Sequence, residues 1–182
     1  VGMDKPTTPE EGLRSIRVPD GFAVDLVASE PDVMDPVAIT WDEDGRMYVV
    51  EMPDYPLGPK SGRIKLLEDR DGDGKIDHVS LFAGDLNFPD GVFPWRGGVL
   101  VTAAPDILYL KDTDGDGKAD ERRIVFHGFG EGNPQHRVNG LVWGIDNWIY
   151  GANGDSDGEI TAPGHSDRSG VAIRRRDFRM RP

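Results

Sequence analysis

The chain has 182 residues, no cysteine, 33 acidic against 21 basic side chains and a formal charge of −12. That balance repels phosphate backbones and anionic lipid and argues against nucleic acid and membrane surfaces as partners. Without cysteine there is no disulfide framework, no thiolate metal site, no thiol nucleophile and no C-x-x-C-H haem motif. Hydrophobic residues at 37% together with 24 glycines make about half the chain, the level of a globular domain with its own core.

The N-terminal stretch "TPEEGLRSI" predicts a short helix, with Thr8 as N-cap, Pro9 at the first position and Glu11 closing a capping box. Residues 1–20 read as an arm leading into a β domain over 21–182. No apolar run reaches 18 residues, so no direct membrane span is expected. "VAITW" and "RMYVVE" predict a hairpin across "DEDG", whose Asp and Gly suit a tight turn. "GRIKLLED" and "DHVSLFAG" predict a second hairpin, with an acidic loop at its tip.

The next stretch repeats this unit as "VFPW", "GVLVTAA", "DILYLKD" and "ERRIVFHG". Trp41, Trp95 and Trp143 open three successive units, 54 and 48 residues apart, and the acidic loops starting at Asp69 and Asp112 are 43 apart. Units of about 40 to 55 residues made of short strands and turns are the pattern of β-propeller blades. The expected fold is therefore all-β, a partial β-propeller of about three four-stranded blades. The third unit either lacks its outer strands or just starts them at "GVAIRRRDF". Closed propellers need at least four blades, so the remaining blades or a second copy of the chain are expected to close the ring.

The loops "DRDGDGKID" and "DTDGDGKAD" place carboxylates at positions 1, 3, 5 and 9, with a backbone carbonyl at position 7. Six to eight hard oxygens held by a glycine-rich wrap suit calcium. The expected ligands are Asp69, Asp71, Asp73 and Asp77 with the Lys75 carbonyl, and Asp112, Asp114, Asp116 and Asp120 with the Lys118 carbonyl. Position 12 holds Ser80 and Arg123, where an EF-hand has Glu, and no helices flank the loops. A structural calcium at each hairpin tip is the reading. Weak loops of this kind suit millimolar calcium, which points to a periplasmic, cell-surface or secreted protein.

Aligning the three units brings the ends of equivalent strands to one channel mouth. Glu51, Asp54 and Tyr55 come from the first unit, Asp106 from the second and Asn153 from the third; Asp90 and Asn139 precede their own strands. His136 stands just before the inner strand of the third unit, and Asp155 follows at the return of the same hairpin. A carboxylate beside an imidazole fixes its tautomer, and such a pair takes a proton from a hydroxyl. His78, His127 and His165 carry no partnered motif, and "RRRDFRMR" reads as a solvated charge run.

"GFAVDLVASEPDVMDPVAITWDEDGRMYVVEMPDYP" resembles the opening of the membrane-bound dehydrogenases typical of planctomycete-type bacteria. "HRVNGLVWGIDNWIYGANGD" is similar to that family and to the soluble quinoprotein glucose and sorbosone dehydrogenases. The resemblance implies a six-bladed parent, pyrroloquinoline quinone at the channel mouth, His136 and Asp155 as the catalytic pair, and a sugar or alcohol as substrate. A c-type cytochrome module would take the electrons. On this reading the chain is the N-terminal half of such a propeller. The alternative is a non-catalytic, calcium-stabilised propeller that binds carbohydrate or protein.

Overall fold

The computed structural model describes residues 6–53, 55–58, 60–164 and 169–182; Asp54 and His165 lie outside them. The chain is all-β: one short helix precedes three antiparallel sheets, and none of the sheets closes on itself. The helix α1 (Pro9–Ser15) buries no side chain. Its capping box holds it: the Glu11 N–H donates to Thr8 Oγ1 at 3.2 Å, and the Thr8 N–H to Glu11 at 3.0 Å.

Eight strands fall where the sequence places them, in up-and-down order. The first sheet is β1 (Pro36–Trp41), β2 (Met47–Glu51), β3 (Gly62–Glu68) and β4 (His78–Leu86). The second repeats it with β5 (Gly91–Trp95), β6 (Gly98–Ala103), β7 (Asp106–Lys111) and β8 (Glu121–Phe129). In each sheet the acidic loop joins the third strand to the fourth.

The third unit departs from expectation. Its sheet contains β9 (Asn139–Trp143), β10 (Ile149–Ala152) and β13 (Phe178–Met180). Between the last two, β11 (Gly158–Thr161) and β12 (Val171–Ala172) add to the outer edge of the second sheet, beyond β8. Val171 and Ala172 of "GVAIRRRDF" thus belong to the second sheet, and only its last residue, Phe178, opens a further strand of the third. Two glycines permit the crossing. A Cβ on Gly128 would overlap the Glu159 carbonyl, and one on Gly158 the Gly128 carbonyl. The backbones approach there more closely than any side chain allows.

The sheets stack face to face. Tyr48, Val50, Ile64 and Leu66 of the first meet Val99, Val101, Leu108 and Leu110 of the second. Leu100, Ile107 and Phe129 on the other face of the second meet Ile149 and Met180 of the third. On the other face of the first sheet, Met47 and Val49 pack with Leu67, Val33 and Ala28, so both faces of β2 and of β6 are covered and both strands are buried along their whole length. This is why "MYVVE" and "GVLVTA" read as nearly continuous apolar runs instead of alternating. The first strands β1, β5 and β9 lie side by side in that order. Ile39 and Trp41 on β1, Val142 and Trp143 on β9 and Ile145 in the turn after it remain exposed.

Candidate functional site

Where the sheets converge, the segments entering β1, β5 and β9 meet the loop after β2. They form an open cavity of about 450 Å³, lined by Asp35, Val37, Met52, Tyr55, Asp90 and Gln135, with Pro36, Pro53 and Pro134 between them. Asp90 is fixed by its own N–H, which donates to the Thr102 carbonyl at 2.9 Å. The next residue is Gly91, where a Cβ would stand 3.0 Å from Thr102 Oγ1 and 3.9 Å from the Gly140 nitrogen, so β5 and β9 run close at their starts. Tyr55 stacks edge-on against Phe88, with ring centroids 5.9 Å apart. The Arg137 guanidinium lies over the Phe88 ring, 5.1 Å from its centroid. Burial pushes the Asp90 carboxyl up to about 7, against the pull of the Arg137 charge.

His136 closes the short 3-10 turn Pro134–His136, directly after the cavity-lining Gln135. Its Nδ1 lies 2.8 Å from Asp155 Oδ2, and both side chains are about half exposed. The His136 hydrogen bond, then the charges of His136 and Arg175, hold the Asp155 carboxyl below its ordinary value. An ionised carboxylate only accepts, so in the neutral imidazole the proton sits on Nδ1 and Nε2 keeps its lone pair. The return loop is built around this contact. Ser156 Oγ donates to the His136 carbonyl at 3.0 Å, and Asn153 Nδ2 to the Ser156 carbonyl at 2.6 Å. Gly154, at φ +63°, lies so close that a Cβ there would overlap the His136 carbonyl.

The other mouth residues divide. Tyr55 and Asp90 line the cavity; Asn139 is not in its wall and donates from Nδ2 to the Arg137 carbonyl at 3.1 Å. Glu51 does not reach it: fully enclosed, its carboxylate pairs with Arg63 and accepts the Met34 N–H at 2.7 Å. Asn153 is buried in the turn described above. Asp106 faces a separate depression shared with Lys60, Asn87 and Glu131, because β7 stands two strands farther out. There it holds His127, Nδ1 to Oδ1 at 2.6 Å, so His127 has a partner after all. The two are cross-strand neighbours in the β7–β8 register, a relation that strand pairing alone reveals.

In the acidic loops, Asp69 accepts the N–H groups of Gly72 and Gly74 at 2.7 and 2.8 Å, and Asp112 those of Gly115 and Gly117 at the same distances. All four glycines have φ between +77° and +88°. The Gly74 and Gly72 donors hold Asp69 below its usual range. Burial pushes Asp112 up, but the Gly117 and Gly115 donors outweigh it and leave it low. Carboxylate oxygens of Asp69, Asp71 and Asp77, and of Asp112, Asp114 and Asp116, gather within 4.8 Å of one another. Asp73 and Asp120 lie outside these two groups and accept from the N–H groups of Lys75 and Thr113. An all-oxygen, all-anionic donor set of this density fits a hard divalent cation of calcium's kind.

A family model described as a domain of unknown function (DUF7133) matches residues 8–182. The chain belongs to this family. No curated protein matches it. The DUF7133 match spans the helix, all three sheets, the cavity and both acidic loops. Sequence reasoning missed Arg137 and Arg175. Arg137 is an ordinary-looking charge beside His136, and nothing in "HRVNG" signals that it is 6% exposed. Arg175 belongs to the basic run and acts on Asp155, so that run is not merely solvated. Arg179 in the same run pairs with Asp146 at 3.2 Å and stacks on Trp148.

Proposed function

We propose that this DUF7133 chain is part of a quinoprotein-like sugar or alcohol dehydrogenase propeller in which His136 takes the proton of a substrate hydroxyl. The observation that carries the reading is the Nδ1–Oδ2 contact of 2.8 Å between His136 and Asp155. It leaves Nε2 as a proton acceptor one residue along the chain from the cavity-lining Gln135, with the carboxylate orienting the ring. The side-by-side order of β1, β5 and β9 and the two-faced burial of β2 and β6 support reading the sheets as blades. The exposed Trp41, Trp143 and Ile145 support further blades, or a second copy, as what covers the outer faces.

Calcium would be held by Asp69, Asp71, Asp73, Asp77 and the Lys75 carbonyl, and by Asp112, Asp114, Asp116, Asp120 and the Lys118 carbonyl. Its contribution there is charge neutralisation that staples each hairpin. Loops of this kind suit calcium-rich surroundings outside the cytoplasm, and a periplasmic, cell-surface or secreted setting follows. No helix among the described residues is long and apolar enough to cross a membrane.

Pyrroloquinoline quinone carries carboxylates and needs cations around it. The cavity lining has the carboxylates of Asp35 and Asp90 and, among the described residues, no Lys or Arg. These residues do not fit the quinone, and the chemistry assigned to this chain is the proton transfer alone. A quinone and a cytochrome module are partners that the reading places elsewhere.

The test is the imidazole 15N spectrum of His136. A single tautomer with its proton on Nδ1, becoming a mixture in Asp155→Asn, supports the base. A mixture of tautomers in the unsubstituted chain would remove the reading. It would leave the alternative, a non-catalytic calcium-stabilised scaffold for carbohydrate or protein.

A further inference from the structure

The run "RRRDFRMR" puts five arginines into residues 174–181 of a chain whose formal charge is −12. Three of them act on neighbouring groups. Arg175 acts on Asp155, Arg179 pairs with Asp146 at 3.2 Å, and Arg181 lies over the Trp148 ring, 5.2 Å from its centroid. The Arg176 guanidinium makes no ion pair among the described residues, and it stands in the wall of a further cavity.

That cavity measures about 490 Å³ and opens between the outer edge of the second sheet and β13 of the third. Phe126 and Phe129 on β8, Ile160 on β11 and Val171 on β12 line it from one sheet, and Phe178 and Met180 on β13 from the other. It exists because β11 and β12 leave the third unit for the second sheet, while the chain comes back to the third only at Phe178. Packing fixes its apolar wall. Phe129 and Met180 are 2% and 8% exposed, and the Phe129 and Phe178 rings lie 5.4 Å apart.

We propose that this cavity binds a single-chain anionic amphiphile of the fatty carboxylate class, with the alkyl chain against the aromatic and aliphatic wall and the carboxylate on Arg176. A largely apolar cavity with a few charged groups in its lining suits a ligand that is itself mostly hydrocarbon. Each CH₂ group fully buried there tightens binding about fourfold. The guanidinium offers a carboxylate charge-assisted hydrogen bonds. A cationic head group would meet Arg176 and Arg179, both in the lining. Asp177 is also in the lining, which favours a monoanion over a dianionic phosphate.

This inference goes beyond the proton-transfer reading and does not depend on it, since the two cavities share no lining residue. The 13C-methyl resonance of Met180 is followed in the whole chain as sodium decanoate is titrated in below its micellar range. The methyl of Met47, buried in the first sheet, is the internal control. A saturable Met180 shift with Met47 unmoved is expected, and octanoate, two carbons shorter, should bind about tenfold more weakly. Arg176 is exposed, so Arg176→Gln leaves the core intact; it should weaken decanoate about tenfold and leave neutral decanol unchanged. Val171→Asp, on an exposed edge strand, should weaken both ligands by placing a charge in the apolar wall. A Met180 signal that ignores decanoate, or that moves only together with Met47, overturns the site. Undiminished decanoate affinity in Arg176→Gln, or decyltrimethylammonium bound as tightly as decanoate, overturns the assignment of an anionic ligand.

Discussion

The backbone N–H of Ala119 donates to the carbonyl of Phe82 over 2.8 Å, which docks the second acidic loop onto β4 of the neighbouring sheet. Ser80 Oγ adds a bond to the Gly117 carbonyl at 3.0 Å, and Ala119 packs against the core between the two sheets. The carboxylates of the first loop bond chiefly to N–H groups of their own turn. The two loops share a sequence pattern and differ in what they hold together.

Calcium should therefore stabilise the chain through both loops, but unequally. At a hundredfold excess over Kd each site adds about 2.7 kcal/mol, several degrees in melting temperature for a chain of this size. Asp112→Asn should lower the calcium-loaded melting temperature more than Asp69→Asn, since the second loop also clasps the sheets. Calorimetric melting with calcium and with a chelator measures this. Identical curves in both conditions would sink the metal assignment.

Asp90 gives stability an unusual pH dependence. Its folded carboxyl titrates at about 7 against an ordinary value of 3.8. Between those values the folded chain keeps a proton that the unfolded chain has released, so stability falls as pH rises through that window. The charged or titratable groups around it are Arg137, Asp35 and Tyr55. Carboxyls with depressed values, such as Asp69 and Asp155, act oppositely and at lower pH. Urea midpoints from pH 4 to 8 should decline in the unsubstituted chain and decline less in Asp90→Asn. Parallel profiles would mean that Asp90 titrates normally.

Much of the fold was legible because local signals agreed with one another. Thr8, Pro9 and Glu11 define a helix start without tertiary help, and "DEDG" and the acidic loops define hairpin tips by their own backbone demands. The path after Ala152 was not legible. Gly128 and Gly158 matter there through their closeness to a distant strand, and nothing within reach of either along the chain announces that contact. The candidate site behaved the same way. His136 and Asp155 flank one hairpin, so spacing brought them together. Glu51 and Asp106 sat at matching strand ends, yet burial against Arg63 and radial distance took them out of the cavity. The Arg137 nitrogens that find no partner among the described residues depend on where a side chain stops, which no periodicity encodes.

The ion pair of buried Glu51 with partly exposed Arg63 should be a stability element with no part in binding. The two residues face each other across β2 and β3, and Glu51 also accepts the Met34 N–H. Removing the carboxylate in Glu51→Ala leaves both donors unmatched, at a cost of about 3–5 kcal/mol. Glu51→Gln keeps an acceptor and should cost less. Urea denaturation ranks the variants. An alanine variant as stable as the parent would show that Arg63 simply turns to solvent.

Gly154 should link stability to the candidate base. At φ +63° it occupies backbone space that side chains resist, and a Cβ would overlap the His136 carbonyl. Gly154→Ala must shift the 134–136 turn or the return loop, at a cost on the order of 1–3 kcal/mol. Because Asp155 is the next residue, the same shift should separate its carboxylate from His136 Nδ1. Two readouts are expected to move together: a lower urea midpoint, and loss of the single Nδ1-protonated tautomer in the 15N spectrum. The acidic loops lie elsewhere, so the heat of calcium binding should persist and show that the sheets remain folded. Loss of stability with the tautomer intact would mean that the His136–Asp155 contact follows the substitution by relaxing. Orientation of the base would then reside in the two side chains rather than in the turn that carries them.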